Sequence, residues 1–258
     1  MSTLSYAARD SATMLRRNLR HALRYPSMTI STAAVPIIFL LLFVYVFGST
    51  LGAGLGGSRY IDYVSPGIIV MAVASGSTAT AVSVCTDMTE GIVARFRTMA
   101  IARASLLTGH VVGSLIQTMF STALVIGVAL LMGFRPNAGP AEWIAAIGLL
   151  LLLTLALTWL AVAFGLVAKR PEVASNLPLP LILLPFIGSG FVPTDSMPAG
   201  LRQFAEYQPF TSINETLRGL LMGTPIGHNG VVAAAWCVAI AAMGYLWAKK
   251  LFNRDPGR

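Results

Sequence analysis

The sequence predicts an all-α integral membrane protein with six transmembrane helices, an N-terminal interfacial amphipathic helix, and short extracellular helices before the last span. Three observations carry this reading. Of 258 residues, 55% are hydrophobic and only 11% charged, and the mean hydropathy is +0.73; a soluble domain needs about 25% charge to cover its surface. Six apolar runs fall at about 27–48, 63–85, 107–133, 143–168, 175–192 and 229–248. Each is long enough, or nearly so, to cross about 30 Å of hydrocarbon as a helix. Finally, basic residues keep to one side. With the N-terminus inside, 14 of the 18 Lys and Arg lie in inward segments, leaving Arg59, Arg135, Arg202 and Arg218 outside.

Both termini are then cytoplasmic, and residues 1–258 form a single multi-pass domain in the cell's inner (plasma) membrane. The net charge of +8 follows from the same bias, so no nucleic-acid partner is expected. Cys85 and Cys237 end one run and sit within another, which gives packing residues rather than a disulfide framework.

Element by element, segment 1–26 places Leu4, Ala8, Ala12, Leu15, Leu19 and Leu23 at roughly every fourth position. Arg16, Arg17 and Arg20 fall largely on the other side. Such a helix lies in the headgroup plane, basic face toward anionic lipid, and ends before Pro26. The apolar part of the first run spans about 20 residues, too long for a signal peptide's core, so it reads as an uncleaved span. Runs two to four are uninterrupted. Between the second and third, within a cytoplasmic segment at about 86–106, Asp87 and Glu90 read as the start signal of a helix. Met88, Ile92 and Phe96 share one face, with Val93 beside them, while Arg95 and Arg97 lie away from it. Acids first and arginines last give an amphipathic helix suited to docking into another protein. The fifth run carries Pro178, Pro180 and Pro185, with Pro193 just beyond; it reads either as a hinge or gate or as a kinked helix. Segment 193–228, outside, reads as two short helices near 198–207 and 211–222 before the sixth run.

Several chemistries are missing. No G-x-x-x-x-G-K-[ST] occurs, so the chain has no P-loop of its own and binds no nucleotide cofactor by that route. H-E-x-x-H and G-x-S-x-G are absent too, and the reading is a transport subunit rather than an enzyme. His21, His110 and His228 stand far apart, each at a predicted membrane boundary, where an amphipathic ring sits without a special role; no metal site is expected. No ionisable residue lies deep within a predicted span, Asp62, Asp87 and Glu142 all being at edges. Ion-coupled secondary transporters, the alternative reading, usually need a mid-membrane charge. Its lack favours an energy source outside the membrane.

Two segments together carry a family resemblance. Asp87-Met-Thr-Glu-Gly-Ile-Val-Ala-Arg-Phe-Arg-Thr-Met-Ala-Ile-Ala-Arg103 resembles the segment after the second span in permease subunits of type-2 ABC exporters, especially the daunorubicin-resistance type. The late F-V-P-x-x-x-M-P-x-x-L-R from Phe191, then Pro209-Phe-Thr, then L-R-G-L-L-M-G to Gly223, resembles that family's extracellular segment before its last span. Two departures are Gln208, where the family more often has Asn, and Ala100, near which it commonly has Pro.

The resemblance implies a half-transporter that moves an amphipathic drug-like or lipid-like molecule out of the cytoplasm or inner leaflet. Its partners would be a cytoplasmic P-loop ATPase subunit, which supplies ATP and Mg, and a second permease copy, identical or related. Asp87, Glu90, Gly91, Ile92, Arg95, Phe96 and Arg97 would form the coupling helix against that ATPase. The interfacial helix bearing Arg16, Arg17 and Arg20 would touch it as well. The two short extracellular helices would be re-entrant, dipping partway into the membrane and returning before the sixth span, and Pro193, Met197, Pro198, Pro209, Glu215 and Arg218 would form an extracellular gate.

Overall fold

A computed structural model describes residues 26–52, 59–89 and 103–254. Proline punctuates its start. The first helix, α1 (Pro26–Leu41), contains Pro36 and passes into a π-helical turn over Leu42–Val46. There the Phe47 N–H donates to the Leu42 carbonyl five residues back, at 3.2 Å. A short α2 (Gly48–Gly52) follows. Phe39, Phe43 and Phe47 come four apart, so their rings follow one another along one side of this segment, at 6.2 and 5.8 Å.

Helix α3 (Tyr60–Thr89) is the axis of the molecule. At about 1.5 Å per residue it is about 45 Å long, and its apolar residues surround it rather than striping one face. A helix apolar all round must be covered all round, and 72% of its most apolar stretch is buried. Helices α4 (Arg103–Leu131) and α5 (Pro140–Val167) pack on it, as does α1. By contrast, the matching stretches of α4 and of α10 (Asn229–Arg254) are only 28% and 22% buried, which sets these two at the periphery. The core gathers Ile68, Ile69 and Met71 of α3 with Leu153 and Leu157 of α5.

The fifth apolar run is not one helix. It divides into α6 (Pro171–Asn176), α7 (Leu179–Leu183) and a 3-10 turn over Leu184–Ile187, and then runs without helix as Gly188-Ser189-Gly190-Phe191-Val192. Pro178, Pro180 and Pro185 withdraw three backbone donors within eight residues, too many for a continuous ladder. A 3-10 turn over Thr194–Ser196 leads to α8 (Ala199–Tyr207) and α9 (Pro209–Met222). Proline in the first turn, where no intrahelical donor is needed, opens α9 two residues before the expected 211. Gly223, at φ +73°, closes it in the left-handed conformation that glycine adopts without strain.

Among the described residues, four helices are long and apolar enough to cross a membrane: Tyr60–Thr89, Thr108–Leu131, Pro140–Val167 and Asn229–Phe252. The first and fifth predicted spans appear as the shorter apolar stretches Thr32–Val46 and Pro171–Ile187. The expected interfacial helix with Arg16, Arg17 and Arg20 lies outside the described residues. So do Glu90, Gly91, Ile92, Arg95, Phe96 and Arg97 of the expected coupling helix.

Candidate functional site

At the end of the bundle where α3 begins, one arginine joins three segments. Arg218 of α9 is 9% exposed. Its Nη2 donates to the Ser189 carbonyl at 2.6 Å and to the Tyr63 carbonyl at 3.2 Å, and its Nη1 donates to Glu215 Oε1 at 2.6 Å. The guanidinium also lies over the Tyr63 ring, 3.9 Å from its centroid. A planar fork of five donors suits this work, since a single rigid group reaches a carboxylate, two carbonyls and a π face at once.

The anchored strand is the Gly188–Val192 ribbon. Tyr63 Oη donates to the Ser189 carbonyl and Tyr60 Oη to the Phe191 carbonyl, each at 3.0 Å. Thr211 Oγ1 accepts from the Ser189 N–H at 3.4 Å, and Gln208 Nε2 donates to the Leu184 carbonyl at 3.2 Å. Side chains of α3 and α9, with Gln208 just before α9, thus supply partners for backbone at and beyond the end of the 3-10 turn, where no helical ladder continues. Glycine makes the approach possible: a Cβ on Gly67 of α3 would lie 2.8 Å from the Gly190 Cα, inside any contact real atoms make. Beside it, Asn214 is fully buried and Ser189 almost so, yet the Asn214 amide atoms, Ser189 Oγ and Gln208 Oε1 have no partner within the chain. The Phe186 and Phe191 rings, which flank the ribbon, stack at 4.3 Å with 2° between planes, and Phe43 of the π turn lies 4.8 Å from Phe191.

The other proposed gate residues stand further out. Pro198 and Pro209 precede and open α8 and α9, Pro193 precedes the 3-10 turn, and Met197 is half-buried after it. Every residue of α8 except Ala205 is exposed. Arg202 bridges Asp195 and Glu206, each at 2.7 Å, and its guanidinium is held further above its usual range by the Glu206 hydrogen bond and then by the Asp195 charge. The spacing of Glu215 and Arg218 was visible in the sequence. Tyr60, Tyr63, Ser189, Thr211 and Asn214 were not singled out, although a Gly-Ser-Gly directly after a proline-broken run was a signal that the backbone there needs foreign partners.

A groove of about 440 Å³ opens along the earlier part of the broken run. Thr32 and Val35 of α1, Ser75, Thr78 and Ala79 of α3, and Ser175, Leu179 and Ile182 around α6 and α7 line it. Ser75 returns its hydroxyl to the Met71 carbonyl, whereas Thr78 Oγ1 is buried without a partner. The groove is therefore apolar with a few hydroxyls, the usual chemistry of a site for an amphipathic molecule.

At the opposite end, two expectations change. Asp87 does not start a helix: α3 continues to Thr89, and Asp87 is 9% exposed within its last turn. His110 of α4 is not a boundary ring without a role. Its Nε2 lies 2.9 Å from Asp87 Oδ2, and the residue is 6% exposed. Two residues that sequence reasoning set 23 positions apart at span edges form a buried pair, because their helices pack side by side.

A helical bundle with a proline-broken apolar run, two short helices after it and no P-loop motif in its sequence can be set against known proteins. The chain is 28% identical over 220 residues to the daunorubicin resistance ABC transporter permease protein DrrB1 of Streptomyces coeruleorubidus, covering 84% of this chain and 77% of that protein. It is 26% identical over 223 residues to the probable doxorubicin resistance ABC transporter permease protein DrrC of Mycobacterium tuberculosis, covering 84% and 80%. A model of the family described as "ABC-2 type transporter" matches residues 10–222, which takes in the groove, the broken run and the Arg218 anchor alike, and the chain belongs to that family of membrane proteins.

Proposed function

We propose that this chain is the membrane subunit of an ATP-driven exporter for an amphipathic, drug-like or lipid-like molecule. The observation that carries the reading is the broken fifth run, with a hydroxyl-bearing groove along its earlier part and the Arg218 anchor on its end. Backbone broken in this way survives in a membrane only against protein or a water-filled path, so it belongs beside a route for cargo. In this reading the shorter apolar stretches Thr32–Val46 and Pro171–Ile187 cross as well, which makes six crossings with the four longer helices, and the bias of basic residues puts both termini in the cytoplasm. Cargo enters the groove between α1, α3 and α7 from the inner leaflet or cytoplasm. It leaves past the ribbon that Arg218, Tyr60 and Tyr63 hold on the extracellular side, so these residues with Pro193, Met197, Pro198, Pro209 and Glu215 form the outer gate.

Energy comes from a partner. A P-loop ATPase with its own ATP and Mg docks on segment 86–106 and on the N-terminal helix, and a second permease copy completes the pathway. The relatives' names, given for daunorubicin and doxorubicin resistance, support planar amphipathic cargo. Asp87 and His110 are the buried ionisable pair that a proton-coupled carrier would offer, but they sit at the helix ends rather than midway, where coupling charges usually lie.

The test is co-expression with the genes that neighbour it, followed by uptake of daunorubicin into inverted membrane vesicles. The expected result is a stable complex of two ATPase and two permease chains, with uptake that needs ATP and persists when a protonophore collapses the proton gradient. Uptake abolished by the protonophore, with no ATPase retained, would overturn the reading in favour of the ion-coupled carrier.

A further inference from the structure

The buried pair at the cytoplasmic end has no part in the groove or the gate. Asp87 lies two residues before Thr89, where the described part of α3 stops, and His110 seven residues after Arg103, where that of α4 starts, so the pair joins the two helices close to the connection 90–102. Their side chains are 12% and 7% exposed. Around them, α3 packs through Val84 on an apolar cluster with Val111 and Phe252, and the Cys85 thiol donates to the Ala168 carbonyl at 3.4 Å, which ties in the end of α5.

An ion pair or charged hydrogen bond in such a place does little for stability. Removing both groups from water offsets most of their attraction, and an apolar pair of similar volume is often as stable or more so. What apolar side chains do not provide is register. Two leucines slide and rotate past each other at little expense, whereas a carboxylate and an imidazole N–H at 2.9 Å fix both the axial offset and the facing of their helices. A buried polar pair that sets register at the expense of stability is the best-attested use of such groups.

We propose that Asp87 and His110 are positioning residues that lock the cytoplasmic ends of α3 and α4 in one register, so that a push on the segment between them moves both helices as a unit and reaches the outer gate. The inference rests on the reading of segment 86–106 as the ATPase contact. It changes the role given to Asp87 there: the residue does not touch the ATPase but stiffens the lever on which the ATPase acts.

The experiment uses the full complex in lipid nanodiscs. Spin labels carried on unnatural amino acids replace Leu131 and Tyr207, which are 89% and 80% exposed at the gate end, and pulsed EPR compares the nucleotide-free complex with one trapped by ATP and vanadate. The expected distance change in the parent complex falls at least fivefold in D87L/H110L, while ATPase retention and unfolding temperature stay unchanged. The swapped pair D87H/H110D restores at least half of it. A full distance change in D87L/H110L overturns the proposal. Loss of folding or of bound ATPase in that variant also overturns it, by making the pair structural. If the parent complex retains no ATPase, the docking reading falls first and this proposal with it, a result distinct from the other two.

Discussion

Arg218 shows how one side chain can carry a junction. Its charge is offset by Glu215, three residues away on the same helix, and its remaining donors face carbonyls 29 and 155 residues distant in sequence. Arg218→Ala strands the Glu215 carboxylate and leaves the Ser189 and Tyr63 carbonyls short of donors. Glu215 is 35% exposed, so the loss stays below the roughly 3 kcal/mol of breaking a fully buried pair from one side, and it should appear as a drop in detergent unfolding temperature. Arg218→Lys should recover only part of the loss, because an ammonium answers Glu215 as a point charge but spans neither carbonyl pair nor ring. Equal unfolding temperatures for Lys and Arg at 218 would show that the fork geometry is unimportant. From sequence alone the pair Glu215–Arg218 was legible through its helical spacing. The carbonyl partners were not, since backbone oxygens carry no residue signature and only the fold decides which of them face an arginine.

Among the elements, the fifth run was legible as broken because proline removes donors wherever it stands. Where its backbone would find new partners was not legible. Those partners come from Tyr60 and Tyr63 on α3 and from Thr211 and Arg218 on α9, and the ribbon reaches them only because Gly67 faces Gly190. Gly67→Ala forces the two backbones apart. Overpacking of this kind typically destabilises by about 1–3 kcal/mol, and here it should also loosen the Gly188–Val192 ribbon. The check is thiol labelling of a cysteine placed at Ser189, which is buried in the parent: labelling should rise several-fold in Gly67→Ala, and an unchanged rate would contradict the close approach. Asp87 teaches the converse lesson at this scale. An acid followed three residues later by another matches a helix start in sequence, yet the preceding helix runs on through Asp87 to Thr89, and His110 of the neighbouring helix meets the carboxylate there.

Over the whole molecule, the burial of α3 and the exposure of α4 and α10 divide the helices into an axis and a rim. Val238, midway along α10 and 56% exposed, faces what surrounds the bundle, as Tyr207 at the end of α8 does at 80%. If α10 crosses a bilayer, the two positions lie in different solvents. Val238→Lys places a charge near the membrane centre at an expense of about 2.5–3.5 kcal/mol on insertion scales and should lower the fraction of protein resistant to alkaline extraction. Tyr207→Lys, at an interface, should leave it unchanged. Equal losses at both would argue that α10 does not face lipid.

By itself the sequence determined the class of molecule: hydropathy and charge decide what a chain can expose to water, and those sums need no coordinates. It determined, too, the positions of the apolar runs, the break in the fifth, and the two segments by which family membership was expected before it was shown. Tertiary structure alone decided that Asp87 and His110 meet, that α3 is the axis while α4 and α10 are rim, and that Arg218 holds the ribbon. The physical reason is one of range. Helix formation and membrane partition depend on residues within a few turns of each other, whereas a buried polar contact joins groups brought together only when every helix has taken its neighbours.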